Sequence, residues 1–277
     1  MMTVPALTDD DLAAFARNGY VLKRGFFDAE EVDLLRRAVD ADAGLRANAV
    51  AVDDAQGGST ELALWNHPGD DLFGAIARCE RIVGGMERLL GGEVYHYHSK
   101  LTMKHPGGGG AWNWHQDYGY WYQNGSLFPD LATVAIAVDS STRENVCLEV
   151  MRGSHRLGRL EHDFVGGQTG ADPARVAEAL KVLERVAVEQ KPGDALFFHC
   201  NTLHCSAPNT SGQRRYLLLC CYNRASNDPF LAHHHPGYTR LDKLPDSAIK
   251  EIGLQGLGQS RAYMAAADDK TSKATEL

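Results

Sequence analysis

His115 and Asp117 stand one residue apart in NWHQDYGYW, residues 113–121, just after the glycine run Gly107–Gly110. On a strand, positions i and i+2 face the same side. An imidazole nitrogen and a carboxylate oxygen would then meet at one point, as two metal ligands in need of a third. The remaining histidines are His67, His96, His98, His105, His155, His162, His199, His204 and the run His233–His235. His204 is set apart by its surroundings, KPGDALFFHCNTLHCSAPNTSGQRRYLLL. A turn at Pro192-Gly193-Asp194, a strand through Phe198 and a second turn lead into it. Arg214 and Arg215 then open an apolar strand. Two adjacent ligands and a distant histidine form a 2-His-1-carboxylate set, which leaves three octahedral positions open and suits non-haem Fe(II). An arginine in the same pocket can hold a carboxylate through two parallel N–H bonds. Taken singly, each residue reads more readily as a satisfied polar group, and an HxD tripeptide arises by chance. The joint pattern on predicted strands is the signal.

The elements that must position these residues fall into two groups. Thr8–Arg17 reads as a helix, with Thr8 as N-cap and Gly19 as the stop. YVLKRGFF is a short strand, and a second helix follows, capped by Asp28 with Glu31 three residues on. The stretch from Asn48 to Asp71 reads as a polar loop, and a third helix is expected over Leu72–Leu90. After Gly92 the pattern alternates: EVYHYHSKLTMK, LATVAIAVD, VCLEVMRGSH, RVAVEQ, DALFFHC and RRYLLLCCYN read as strands, interrupted by one helix, DPARVAEALKVLE. Helices followed by many short strands predict an antiparallel sandwich or jelly roll.

The chain has 277 residues and a net charge of −8, which offers no general attraction for nucleic acid or an anionic membrane. Its start lacks a basic region followed by an apolar core, and no apolar run reaches the length of a membrane span. Cys79, Cys147, Cys200, Cys205, Cys220 and Cys221 form no CxxC pair and read as reduced, buried thiols. The expectation is a cytoplasmic protein; its oligomeric state is not readable. Gly107–Gly110 lacks the GK[ST] and following helix of a phosphate loop and reads as a mobile loop beside the site.

The chain resembles the phytanoyl-CoA dioxygenase family of Fe(II)/2-oxoglutarate oxygenases over roughly residues 8–250. The resemblance rests on NGYVLKRGFF, KLTMKHPGGGGAWNWHQD, CLEVMRGSH, KPGDALFFHCNTLHCSAPNTSGQRR and HHHPGYTRLDKLPDSAIK, of which the first two and the fourth are the specific ones. It implies a mainly β fold, a double-stranded β-helix of cupin-like jelly-roll form with N-terminal helices packed on one sheet. The implied organisation is one domain over 1–258, with a helical part at 8–92, a jelly-roll core at 93–224 and a disordered tail at 259–277. The implied cofactors are Fe(II), with 2-oxoglutarate and O2 as cosubstrates. His115, Asp117 and His204 would hold the iron. Arg215, eleven residues after His204, would bind the distal carboxylate of 2-oxoglutarate, Ser206 would add a hydroxyl, Thr102 would contact the cosubstrate and Trp112 would wall it. Arg214 competes with Arg215, since neighbours on a strand face opposite ways. Val146 and Arg152 replace a glycine and a proline of the family's pattern in NVCLEVMRGSH, which affects a turn at the pocket rim. Asp117 is present, whereas halogenating relatives replace this carboxylate with a small residue.

His98, Lys104, Tyr118, Trp121 and Phe198 are the substrate-facing candidates. His98 and Lys104 share the strand face of Thr102, Trp121 shares the ligand face if the strand continues, and Phe198 lies on the strand entering the distal histidine. Core packing is the competing reading for the aromatics, and a strand-edge lysine for Lys104. One member of His233–His235 is placed near the entrance. The expected reaction is hydroxylation of a small metabolite with conversion of 2-oxoglutarate to succinate. Epoxidation, desaturation, ring closure or ketone formation on the same cofactors are the alternatives, followed by a non-oxygenase metalloenzyme or a binding module on this fold. No basic cluster for CoA phosphates is evident, which favours a free small molecule over a thioester.

Overall fold

Two reciprocal capping boxes open the chain. Thr8 and Asp11 cap α1 (Asp9–Asn18), and Asp28 and Glu31 cap α2 (Ala29–Ala41); Gly19 ends α1 in the left-handed conformation at φ 82°. This computed structural model describes residues 6–54, 57–165, 167–255 and 262–264. The other helices are α3 (Ala43–Ala47), α4 (Leu72–Arg78), α5 (Glu80–Leu90), α6 (Asp117–Trp121), α7 (Pro173–Val182) and α8 (Ala248–Gln255). The strands are β1 (Tyr20–Lys23), β2 (Val50–Asp53), β3 (Ser59–Trp65), β4 (Val94–Lys104), β5 (Trp112–His115), β6 (Leu131–Ala137), β7 (Leu148–Met151), β8 (His162–Val165), β9 (Gln168–Ala171), β10 (Arg185–Val188), β11 (Ala195–His199), β12 (His204–Ser206) and β13 (Arg215–Arg224).

A seven-stranded sheet runs in the order β1-β11-β6-β13-β4-β3-β2, and a four-stranded sheet in the order β10-β7-β12-β5. Together they form a double-stranded β-helix. Side-chain alternation divides the large sheet cleanly. Phe197, Val134, Ile136, Leu218 and Cys220 pack into one core with Leu34, Leu35, Ile76, Ile82 and Met86 of the helices. Leu196, Phe198, Ala135, Leu217 and Leu219 pack the other way, with Leu148, Val150 and Val188 of the small sheet. Both faces are covered, so these strands read as near-continuous apolar runs. The cavity described below lies between the two sheets.

The structure corrects the sequence reading in several places. The polar loop over 48–71 contains β2 and β3, which pair with each other and extend the large sheet through β4. The expected helix over Leu72–Leu90 is two helices. Cys79 between them is extended (φ −64°, ψ 144°), and Glu80 N donates to Leu244 O. A backbone partner from the C-terminal segment thus breaks the ladder. The strand bearing His115 stops there, and Asp117 begins α6. The expected disordered tail lies outside the described residues except for 262–264. There Tyr263 Oη donates to Asp42 Oδ2 and Met264 N donates to Leu64 O. All six cysteines are buried and unpaired. No helix among the described residues is long and apolar enough to cross a membrane.

Candidate active site

β5 and β12 are adjacent antiparallel strands, and their register sets His115 directly opposite His204. The two rings lie 4.0 Å apart between centroids. Asp117 joins them from the first residue of α6, and one ligand atom from each of the three lies within 4.8 Å of the others. All three residues are buried. His115 Nδ1 lies 2.7 Å from Asn113 O, and His204 Nδ1 lies 2.9 Å from Thr202 O. A carbonyl only accepts, so each Nδ1 carries the proton and each Nε2 presents its lone pair inward. Burial pushes both imidazoles below their ordinary pKa, His115 well below with help from His204, which keeps them neutral and ligand-competent. Asp117 Oδ2 accepts from Thr133 Oγ1 at 3.2 Å, and its Oδ1 lies 3.9 Å from His204 Nε2.

The turn between His115 and Asp117 is locked by Gln116, which is fully buried. Its amide nitrogen donates to Gly158 O and Asn201 O, its side-chain oxygen accepts from Leu160 N, and its backbone N–H donates to His162 Nε2. Tyr118 N donates to Cys200 O, and Gly119 lies so close to His162 that a Cβ there would sit 2.3 Å from the imidazole. These contacts convert the strand into a helix within two residues while aiming both ligands at one point.

Beside His115 and His204 is a cavity of about 50 Å³, lined also by Lys100, Thr102, Trp112, Ser206, Arg215 and leucines of β7 and β13, among others. The β4–β13 ladder lays out its floor in order, with Lys100 opposite Leu219 and Thr102 opposite Leu217; His98, opposite Cys221, and Lys104, opposite Arg215, continue the same strand outside the cavity. Trp112 and Ser206, also a cross-strand pair, face it from the small sheet. Arg215 is fully buried, its Nε has no hydrogen-bond partner among the described residues, and burial draws its pKa down to about 10. A buried guanidinium with an unpaired donor is a site for an anion. Arg214 points outward and pairs with Asp40 at 2.6 Å and Asp139 at 3.1 Å.

The substrate-facing candidates separate. Lys104 does not line the cavity; it is sealed between the sheets, with Nζ donating to Ala207 O at 2.5 Å. Tyr118 is packed among Tyr95, Tyr97 and Trp121, and its hydroxyl donates to Ser126 O. Trp121 lies on α6 rather than a strand, with its ring 5.7 Å from His98. Phe198 packs on the His204 ring at 4.9 Å. His98 is buried and stacks on His235 at 4.4 Å and 17°. Among the described residues, His98 Nδ1 and His235 Nε2 have no partner. Lys100 and Thr133 were missed. Lys100 shares the alternation that singled out His98 and Thr102; Thr133 carries no signal beyond its place in an apolar strand. The glycine run is pinned by backbone bonds, Gly107 N to Ser211 O and Gly110 N to Ser59 O.

Residues 15–216 match the phytanoyl-CoA dioxygenase family. The chain is 31% identical to L-proline trans-4-hydroxylase of Streptomyces griseoviridis over 88% of this chain and 97% of that protein. It is 29% identical to ectoine dioxygenase of Halomonas elongata, over 82% and 74% of the two. Among solved structures, EctD from S. alaskensis with 2-oxoglutarate and 5-hydroxyectoine superposes with a TM-score of 0.74 at 25% identity, covering 88% of this chain and 90% of that one. Fold, site and relatives together define a non-haem Fe(II)/2-oxoglutarate-dependent dioxygenase, with O2 as its second cosubstrate. The chain belongs to the phytanoyl-CoA dioxygenase family.

Proposed function

We propose that this enzyme hydroxylates an aliphatic carbon of a small, free carboxylate of amino-acid type, with His115, Asp117 and His204 holding the iron. The observation that carries the reading is the convergence of three buried ligand atoms, two of them on residues lining a cavity that a buried arginine with an unpaired donor also lines. The residues fit the cofactor. Both imidazoles have their outer nitrogen tied to a carbonyl, and the carboxylate is oriented by Thr133. Fe(II) with 2-oxoglutarate and O2 supplies the oxidation of a C–H bond coupled to formation of succinate and CO2.

The chain's own residues do the positioning. Arg215, with Ser206 and Thr102 beside it, takes the distal carboxylate of 2-oxoglutarate, and Trp112 walls the cosubstrate. Leu148, Leu217 and Leu219 keep the cavity dry, which strengthens every charge interaction inside it. Lys100 lines the cavity and has no ion-pair partner among the described residues, so it is the cation for the substrate's carboxylate. His98, Trp121 and His235 bound the substrate end. The relatives named for proline and ectoine act on small carboxylates of this kind.

The test is a panel of free amino acids, cyclic imino acids and their CoA thioesters, read by succinate formation and product mass. The expected result is a product 16 mass units heavier from a free acid, with KM raised in Lys100→Ala. A thioester turned over far better than its free acid contradicts the substrate class.

A further inference from the structure

His235 comes from the segment after β13 and is buried, yet among the described residues its Nε2 has no partner. The state of that nitrogen follows from the other side of the ring. Asn66 Nδ2 donates to His234 O at 2.6 Å, so the amide oxygen of Asn66 is the atom that faces His235 Nδ1 at 2.9 Å. An amide oxygen only accepts, so Nδ1 carries the proton and Nε2 keeps a bare lone pair. The backbone holds this arrangement, since His235 N donates to His233 Nδ1 at 3.0 Å. Burial, with His234 and His233 beside it, pushes the imidazole well below its ordinary pKa and keeps it neutral. Nε2 is a buried acceptor in want of a donor.

Aromatic faces surround that acceptor. The His98 ring stacks on His235 at 4.4 Å, the Tyr97 ring lies 4.7 Å from it, and Trp121 stands 5.5 Å from Tyr97 and 5.7 Å from His98. Asn124 fixes Tyr97, its side-chain amide donating to the hydroxyl at 3.1 Å. A lone pair among π-faces suits a positively charged N–H donor. It does not suit a metal: the stacked rings are 17° from parallel, so their in-plane lone pairs cannot meet at one point. The place adjoins the iron centre. His98 is opposite Cys221, and Cys221 is opposite Thr133, whose hydroxyl holds Asp117. Trp121 ends the helix that Asp117 begins. Lys100, two residues from His98 on the same strand face, bears on both imidazoles with its charge.

We propose that His235 reads the nitrogen of the substrate: its Nε2 accepts a hydrogen bond from the ammonium N–H of an amino-acid-type substrate, with Tyr97, His98 and Trp121 offering π-faces to the charge. The proposal rests on the reading of the substrate as a free small carboxylate held by Lys100; together the two contacts select a zwitterion.

The experiment measures binding to the enzyme loaded with Fe(II) and 2-oxoglutarate under anaerobic conditions, by calorimetry and by perturbation of the visible charge-transfer band. The probes are two pairs that differ in the nitrogen alone: L-proline with cyclopentanecarboxylate, and L-leucine with 4-methylpentanoate. The unmodified enzyme is expected to bind at least one amino acid tighter than its carbon analogue by roughly tenfold or more, as for a hydrogen bond to a charged group. His235→Phe, which keeps a ring on His98 and removes the acceptor, is expected to abolish that preference by weakening the amino acid and not its analogue. His235→Gln, whose side-chain carbonyl reaches the place of Nε2, is expected to restore part of it. Equal weakening of both members of a pair means a packing role only and overturns the proposal. A preference that survives in His235→Phe, or none in the unmodified enzyme, overturns it too. Lys100→Ala is expected to weaken both members of a pair alike. If it weakens neither, or if none of the four acids binds, the reading of the substrate on which the proposal rests fails, and the proposal with it.

Discussion

The regions proposed for cosubstrate and for substrate are built differently. The region proposed for the cosubstrate is a lattice of strands: Arg215 opposite Lys104, Leu217 opposite Thr102, Ser206 opposite Trp112. Each residue's direction is fixed by the ladder, so its place follows from its offset along the chain. The region proposed for the substrate is assembled from unrelated pieces. His98 comes from β4, Trp121 from α6 and His235 from the segment after β13, and they meet through ring contacts at 4.4 and 5.7 Å. Side chains on a helix and a loop can change without disturbing the sheets, which suits them to setting the choice of substrate.

The largest effect expected from this contrast is at the arginine pair. Arg215→Ala should raise the 2-oxoglutarate requirement by roughly a hundredfold, the value of a buried bidentate charge-assisted contact. Arg214→Ala should leave that requirement unchanged and cost about 1–3 kcal/mol of stability, because it removes a partner from the buried carboxylate of Asp139 as well as from the more exposed Asp40. Titrating each variant with 2-oxoglutarate checks this. The reverse ranking would mean that the β13 register is shifted by one.

At the other end, His235→Ala should alter substrate KM by about tenfold, the worth of one or two lost contacts, while the 2-oxoglutarate dissociation constant stays the same. A parallel change in both would show that the two ends are not independent. Between them, Thr133→Val removes the hydroxyl that orients Asp117. Loss of such an outer contact weakens metal affinity by roughly 10–100-fold, measurable by competition with a chelator. The smallest effect is at the rim. Val146 is the only non-glycine residue at positive φ among those described, at 62°. Val146→Gly should raise stability by about 1 kcal/mol by removing that strain, seen as a higher Tm with activity retained.

The same contrast explains what the sequence disclosed. The convergence of His115, Asp117 and His204 and the inward direction of Arg215 were legible from their offsets along the chain. The conformation at Asp117 was not: a strand to His115 and a helix from Asp117 give the same ligand convergence, and the switch depends on Gln116 reaching Gly158, Leu160 and Asn201. Lys100 and Lys104 share one face of β4, and alternation does not say how far along the strand the cavity ends. The glycine loop over Lys104 decides that. The β2–β3 hairpin was hidden by its polar, glycine-containing turn. His235 was only placed in a loop near the entrance, since a loop carries no periodicity to say which of three adjacent histidines turns inward.

The most direct test of the account is anaerobic titration of the Fe(II)-loaded enzyme with 2-oxoglutarate, following the visible metal-to-ligand charge-transfer band. The account predicts that the band appears at stoichiometric cosubstrate and is absent in His115→Ala. Iron demonstrably bound with no band, or a band that survives unchanged in His115→Ala, would contradict the assignment of His115, Asp117 and His204 as the metal centre.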